Sequence, residues 1–226
     1  MSSPDPFRYE RMSQQHVQEV AALHEACFEG YYLTRLGPAF LRAMYGWYVE
    51  SPQAIAQVAL KDSDRVVGFV AGTTRAETYH GSLFREQGGA LLAALAWRAV
   101  SSPVETVRLV WERKDLARRA VPSMLSQGSQ TTEAPGGGSD DGPETASLVS
   151  IGVEPFQRRS GIGRRLSEVF LREAQQRGCD SVTLSVREDN LAARRFYESL
   201  EWKETSRSSF AYHGSHSITY EKSTRG

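Results

Sequence analysis

The segment from Val149 to Phe170, VSIGVEPFQRRSGIGRRLSEVF, constrains the fold most, because it joins a strand to a helix through Gly161 and Gly163. The residues from Leu148 to Val153 form an apolar run that is typical of a strand. From Gly161 to Arg177 apolar residues recur at helical spacing, which predicts a helix. The first amides of a helix lack internal partners, and glycines let a ligand approach the backbone closely. The segment therefore predicts an anion site, where neighbouring arginines add positive charge.

Two common phosphate-binding motifs fit this turn poorly. A P-loop requires lysine and then serine or threonine after its last glycine, and GIGRRL has neither. A dinucleotide-binding turn requires a third glycine where this chain has Leu166, and it follows its strand at once. Here the residues from Glu154 to Ser160 separate the strand from the glycines. Neither motif therefore accounts for the turn, and in other strand-to-helix loops a Gly-x-Gly turn serves steric reasons alone.

The stretch resembles the coenzyme A-binding half of the GNAT N-acetyltransferase superfamily. The signature Gln/Arg-x-x-Gly-x-Gly/Ala is matched by Arg158, Gly161 and Gly163. Downstream, Asn190, Ala193 and Tyr197 reproduce the spacing of a second motif of that family. The resemblance extends from about Leu148 to Glu204, whereas the N-terminal part agrees only in its order of elements.

The resemblance implies a GNAT-like α+β fold with a splayed, mostly antiparallel mixed sheet flanked by helices. The whole chain, residues 1–226, is then a single domain, in which the strands before and after an insertion are neighbours. A helical insertion is expected at about 81–121, followed by a flexible Gly/Ser-rich loop at about 122–147. Its stretch from Ser123 to Ser147, SMLSQGSQTTEAPGGGSDDGPETAS, is nearly empty of large apolar residues.

The resemblance also implies that the chain binds acetyl-CoA as co-substrate and transfers its acetyl group to an amine. Main-chain groups of Ile151 and Val153 would bind the pantetheine arm, and the amides from Arg159 to Arg164 would bind the pyrophosphate. Asn190 would contact the pantetheine side, with Phe196 packed nearby. The expected cofactor-binding residues are Ile151, Val153, Arg158, Arg159, Ser160, Gly161, Ile162, Gly163, Arg164, Asn190 and Phe196.

For the chemistry, the resemblance places Tyr197 where it could give a proton to the departing thiolate as general acid. The alternative for Tyr197 is a core aromatic, a role for which Phe196 is the better candidate. The base is less defined, because Ser185 stands where several relatives carry a glutamate. Glu154, at the end of the strand, is the nearest catalytic candidate, although it could equally be an ordinary strand-end residue. A chain of water molecules is a further alternative.

The remaining composition excludes several classes of protein. The chain has 226 residues, and 27 basic residues balance 27 acidic ones, which argues against a general nucleic-acid binder. Two distant cysteines and five histidines without a ligand pattern predict no metal site. We find no signal-peptide pattern and no membrane-spanning run, so a soluble, cytoplasmic protein is expected.

The N-terminal part predicts a strand at Phe7 to Met12, two helices and then a hairpin around Asp62-Ser63-Asp64. The insertion carries two helical segments, which could cover the acceptor entrance, form a homodimer face or do neither. Asn190 to Leu200 predicts a short helix, and the last two segments predict antiparallel strands. The resemblance directs attention to FEGYYLTR, Phe28 to Arg35, as a wall of the acceptor site.

Three functions follow from these patterns. The first is an N-acetyltransferase that acts on a primary amine of a small molecule or a protein. The second is a non-catalytic module that senses acetyl-CoA or regulates a partner, which the serine at position 185 keeps open. The third, a generic nucleotide-binding domain, is disfavoured by the missing third glycine.

Overall fold

The computed structural model of the chain describes residues 6–62, 64–76, 79–102, 145–208 and 216–225. The strands are β1 (Arg8–Arg11), β2 (Ala54–Lys61), β3 (Arg65–Thr73), β4 (Thr145–Val153), β5 (Ser181–Arg187), β6 (Lys203–Arg207) and β7 (Ser217–Ser223). The α-helices are α1 (Val17–Cys27), α2 (Tyr32–Arg35), α3 (Pro38–Glu50), α4 (Tyr79–Ser101), α5 (Ile162–Gln176) and α6 (Leu191–Ser199). Two 3₁₀ turns, Gln14–His16 and Pro155–Gln157, precede α1 and α5.

The strands of the described residues form one sheet in the order β1-β2-β3-β4-β5-β7-β6. Every neighbouring pair is antiparallel except β4 and β5, which run parallel. β3 pairs with β4 although the whole insertion separates them in sequence. The structure thus confirms the mixed, mostly antiparallel sheet and the adjacency of the strands on either side of the insertion.

Helices cover both faces of the sheet, and alternate residues of β2 show why. Val58 and Leu60 pack into one core with α1, α3 and α4, whereas Ile55 and Ala59 pack into a second core with α5. Because side chains of a strand alternate between faces, a strand that is apolar at nearly every position must be covered on both sides. The β2–β3 hairpin expected from the sequence is present.

The first helix of the expected insertion belongs to the core. Leu83 and Leu91 of α4 are buried, and the indole Nε1 of Trp47 on α3 donates to Glu86 at 2.8 Å. The helix begins at Tyr79 rather than Gly81. The second expected helix and most of the Gly/Ser-rich loop lie outside the described residues.

The strand β4 begins earlier than the sequence predicts. It starts at Thr145, so residues 145–147 belong to the sheet and not to the loop. Thr145 pairs with Ser181 of β5, and Ser147 pairs with both Thr73 of β3 and Thr183 of β5. Ladder hydrogen bonds from two neighbouring strands therefore outweigh the polar, small-residue composition of this segment.

Two further searches cover only the described ranges. None of the helices there is long and apolar enough to cross a membrane. The same ranges contain no cluster of histidine, cysteine or carboxylate side chains that could hold a metal ion.

Candidate functional site

The sheet opens into a gap between β4 and β5. The two strands pair only at Thr145–Ser147 with Ser181–Thr183, whereas β4 continues to Val153 and β5 continues to Arg187. Beyond the paired residues the strands face each other without ladder hydrogen bonds. This is the splayed sheet that the sequence predicts, and its open end lies beside the Gly161 turn.

An irregularity in β4 marks the start of the gap. Ala71 of β3 pairs with Ser150 and Gly72 pairs with Leu148, which leaves Val149 as an extra residue in a β-bulge. A bulge bends its strand and increases the local twist. The bulge therefore helps to direct the end of β4 away from β5.

The main chain of β4 presents hydrogen-bonding groups to this gap. The amide of Glu154 donates to the carbonyl oxygen of Val67 at 2.9 Å, so residue 154 faces β3. Because the hydrogen-bonding direction alternates along a strand, the main-chain groups of Val153 and Ile151 face the opposite side, which is the gap. Ile151 and Val153 are the two residues that the resemblance leads us to expect at a pantetheine arm.

Side chains also reach the carbonyl oxygen of Val153. The thiol of Cys27 donates to it at 3.4 Å, and Nε of Arg158 donates at 3.3 Å. Burial raises the pKa of the Cys27 thiol, against a smaller opposing effect of Arg158, so the sulfur stays protonated at neutral pH. Our sequence interpretation placed Cys27 only in or near the core, because no pattern connects residues 126 positions apart.

The Gly161 turn has a free row of amides. Gly161 is the N-cap of α5 with φ +90°, and Arg159 also has a positive φ, of 65°. The first backbone bond of the helix runs from Arg165 to the carbonyl of Gly161 at 3.0 Å. Among the described residues, the amides from Arg159 to Arg164 have no acceptor. A Cβ built at Gly161 would meet no atom within 4 Å, so a ligand can approach this side of the turn.

The second glycine of the turn has a packing role. A Cβ at Gly163 would lie 3.3 Å from the ring of Phe196 and 3.8 Å from Val153. The absence of a side chain therefore lets α6 and the end of β4 approach the first turn of α5. The same contact places Phe196, an expected cofactor-binding residue, beside the row of amides.

Asn190 caps α6 and contacts the N-terminal part of the chain. Its Oδ1 accepts from the amide of Ala193 at 3.1 Å, and its Nδ2 donates to the hydroxyl of Tyr31 at 3.1 Å. The guanidinium of Arg187 lies 5.3 Å from the centre of the Tyr31 ring. Tyr31, which comes from the FEGYYLTR segment, thus reaches the β5–α6 side of the gap.

Tyr197 is buried in the second core. Its ring contacts Trp202 edge-on at 5.6 Å and lies 6.3 Å from Tyr220. Burial raises its pKa, so the phenol stays protonated across the physiological range. In the described residues no hydrogen-bond partner is found for its hydroxyl. Both the core role and the acid role of the sequence interpretation are compatible with this position.

The two candidate positions for a base differ in surroundings. The carboxylate of Glu154 is about a quarter exposed and accepts from Nη1 of Arg65 at 2.6 Å. It faces a groove bordered by α1, on the Arg65 side of β4. Ser185 is exposed on β5 and pairs with Thr219 of β7. The sequence placed Glu154 at the end of β4 correctly but gave no indication of its ion pair.

Comparisons with known proteins agree with this geometry. Residues 128–202 match the model of the acetyltransferase (GNAT) family. Over 61 residues, or 27% of this chain, the sequence is 41% identical to the [ribosomal protein bS18]-alanine N-acetyltransferase of Escherichia coli. Over 63 residues, or 28% of this chain, it is 41% identical to a mycothiol acetyltransferase of Kocuria rhizophila. The matches span only 41% and 21% of those relatives' lengths.

Solved structures resemble the chain over nearly its whole length. The Escherichia coli ribosomal-protein-S18-alanine N-acetyltransferase has a TM-score of 0.54 at 13% identity, over 96% of this chain and 94% of that one. Arabidopsis thaliana NAA60 in complex with acetyl-CoA has a TM-score of 0.57 at 14% identity, over 97% of this chain and 99% of that one. At such identities the likeness establishes a shared fold.

Proposed function

We propose that the chain is a GNAT-type enzyme that transfers the acetyl group of acetyl-CoA to a primary amine of a small molecule or protein, since residues 128–202 match the model of that family. The observation that carries the proposal is the open gap between β4 and β5, which ends at the unpaired amides of residues 159–164. Helix-start amides and the helix dipole bind phosphate groups, and an extended strand edge binds an amide-containing chain. Coenzyme A carries both chemical groups.

The pyrophosphate would lie on the amides from Arg159 to Arg164, on the side that Gly161 leaves open. The pantetheine arm would run along β4 and bond to main-chain groups of Ile151 and Val153. Arg158 now donates to the Val153 oxygen, and its guanidinium is free to turn toward the phosphates when that oxygen accepts from the ligand. Asn190 and Phe196 would line the opposite side of the arm.

In the reaction, the lone pair of the neutral amine attacks the thioester carbonyl and forms a tetrahedral oxyanion. Main-chain amides that face the gap near Val153 would stabilise this oxyanion. The intermediate collapses as the carbon–sulfur bond breaks; the thiolate takes a proton, and the nitrogen, which is positively charged after its attack, releases one to water. Tyr197 would supply the proton to the thiolate as general acid, and its raised pKa keeps the proton available.

The attacking amine must first lose the proton of its ammonium form. Glu154 is the proposed base, and it would act through water because it lies on the Arg65 side of β4. Accepting a proton would cost its ion pair with Arg65. Replacement of Glu154 by glutamine should lower kcat/KM at neutral pH, because glutamine cannot accept a proton. An unchanged kcat/KM would instead assign deprotonation to water alone.

The proposed acceptor is a primary amine, and the relatives suggest which classes of amine to test. One relative is named for the alanine of a ribosomal protein and another for mycothiol, so the names of relatives point to two chemical classes. Tyr31, which lies beside Arg187 and Asn190, is positioned to wall the acceptor side of the gap.

An acceptor screen tests the proposal. Purified protein is incubated with acetyl-CoA and a panel of amines and N-terminal peptides, while thiol release and acetylated products are followed by mass spectrometry. The proposal predicts at least one product that forms in proportion to released thiol. If acetyl-CoA binds but no amine is acetylated, the alternative of a non-catalytic sensor is favoured. Absence of acetyl-CoA binding would refute both.

A further inference from the structure

A cavity lies near the start of α5, between that helix and the turn that joins α6 to β6. Its volume is about 270 Å³, and its lining includes Arg164, Ser167, Leu171, Leu200, Trp202 and Lys222. A water molecule occupies about 30 Å³ of liquid volume. The cavity is therefore large enough for a small molecule rather than for one bridging water.

Two buried polar atoms of residues that line this cavity lack partners. Ser167 is 1% exposed and Trp202 is 3% exposed, and within the described residues neither Ser167 Oγ nor Trp202 Nε1 makes a hydrogen bond. Leaving a buried donor unsatisfied is costly, so such groups normally have a protein, water or ligand partner. Both groups belong to residues that line this cavity, and the proposal below takes them as donors to its occupant.

The charges around the cavity define what the occupant must offer. The indole of Trp202 and the guanidinium of Arg164 can only donate hydrogen bonds. Arg164 has no carboxylate partner among the described residues, and it lies in the first turn of α5, where the helix dipole favours negative charge. The occupant must therefore be rich in acceptors.

Three further charged side chains border the cavity. Glu168 lies 3.5 Å from Arg165, and Glu201 lies 3.8 Å from Lys222. The ammonium of Lys222 also donates to the carbonyl of Leu200. Each carboxylate thus has its own cation nearby, which leaves Arg164 as the cation available to a ligand in this part of the chain.

We propose that this cavity binds a small oxyanion, at a site separate from the amides of the Gly161 turn. The anion would accept from Ser167, Trp202 and Arg164 at once. Since the Trp202 ring packs against Tyr197 at 5.6 Å, binding there would also order the surroundings of the proposed general acid. The same chemistry fits a free phosphate and the ribose phosphate of coenzyme A. The second source rests on the proposed function.

The indole N–H resonance of Trp202 reports on this site directly. It is assigned in ¹⁵N-tryptophan-labelled protein by its absence in Trp202→Phe, and inorganic phosphate is then titrated at constant ionic strength. We expect a saturable shift of this resonance, and an apparent affinity at least about tenfold weaker in Ser167→Ala and in Arg164→Gln. The indole of Trp47, which already donates to Glu86, is the internal control and should not move.

A second titration compares coenzyme A with its analogue that lacks the ribose phosphate. A Trp202 shift with coenzyme A alone would assign the site to the cofactor's own phosphate. A shift with inorganic phosphate in the presence of the saturating analogue would assign it to a separate anion. If neither phosphate source moves the resonance, or if both variants respond like wild type, the proposal is wrong. Failure of coenzyme A to bind would count against the acetyltransferase function without affecting the phosphate titration.

Discussion

At the scale of single residues, the surroundings of Tyr197 bear on its proposed role as general acid. It is 5% exposed, and aromatic neighbours surround its ring. Because burial disfavours the phenolate, its pKa lies above the ordinary value and the proton is retained throughout the working range. A group held in this state can act as an acid but not as a base.

Replacing Tyr197 by phenylalanine removes the proton and little else. We expect turnover to fall by about 100-fold or more, while the affinity for acetyl-CoA stays near the wild-type value. Tyr220→Phe is the matched control, since it removes a hydroxyl from the same aromatic cluster whose partners are Glu198 and Arg194. Steady-state kinetics and calorimetric titration measure the two quantities. Equal rates in the wild type and Tyr197→Phe would exclude the acid role.

A second residue-scale prediction concerns stability and pH. His24 is buried, its Nδ1 lies 2.7 Å from the hydroxyl of Tyr45, and desolvation lowers its pKa from 6.5 to about 4. Between these values the unfolded state binds more protons, so stability falls as the pH falls. At neutral pH, the buried neutral histidine adds about 3 kcal/mol to the free energy of unfolding relative to strongly acidic pH. About 2 kcal/mol of this should be lost by about pH 5.

Urea unfolding at a series of pH values measures this effect, with His24→Gln as the comparison. Glutamine can keep a hydrogen bond to Tyr45 but does not titrate, so the variant should lose less stability on acidification. If both proteins show the same slope between neutral pH and about pH 5, the buried neutral histidine is not the cause.

At the scale of elements, the glycines at the two ends of α5 allow an effect on ligand binding to be distinguished from an effect of backbone strain. Gly161 precedes the helix with φ +90°, Gly178 follows it with φ +89°, and an added Cβ meets no atom at either position. Replacing either glycine by alanine should therefore lower the free energy of unfolding by about 1 kcal/mol. Only Gly161→Ala should also weaken acetyl-CoA binding, because its methyl group lies on the ligand side of the amides.

Thermal unfolding and cofactor titration of both variants check this prediction. The pair controls for general loss of stability, since Gly178→Ala carries the same strain at the far end of the helix. Equal cofactor affinities in the two variants would show that the Gly161 turn does not contact the ligand.

The sequence predicts the elements around this turn well, for local reasons. The apolar run of β4, the periodic face of α5 and the glycine at 178 are determined by neighbours within a few positions. The hairpin between β2 and β3 can be predicted from the sequence for the same reason. The short helix Tyr32–Arg35 is too brief to show a period, and our sequence interpretation did not include it.

The contacts that complete the site could not be predicted from the sequence, because distant segments make them. The hydrogen bond between Tyr31 and Asn190 joins residues 159 positions apart, and the ion pair between Arg65 and Glu154 joins residues 89 positions apart. The bulge at Val149 depends on the register with β3. Such features follow from tertiary packing, which overrides local propensity.

At the scale of the whole molecule, two cores lie on opposite faces of one sheet, and the gap lies within that sheet between β4 and β5. The first core contains α1, α3 and α4, and the second contains α5 and the aromatic residues around Tyr197. Tyr31 and Cys27, which belong to the N-terminal part, reach across to Asn190 and Val153. We therefore propose that the cofactor lies on the α5 side of the gap and the amine on the side of the N-terminal helices.

The central claim is that the unpaired amides from Arg159 to Arg164 hold the pyrophosphate of acetyl-CoA. The most direct measurement is the backbone ¹H–¹⁵N spectrum of the protein during titration with acetyl-CoA. We expect large, saturable shifts for these amides and for those of Ile151 and Val153, with one ligand bound per chain. Tight binding with these resonances unmoved, or no binding at all, would contradict it.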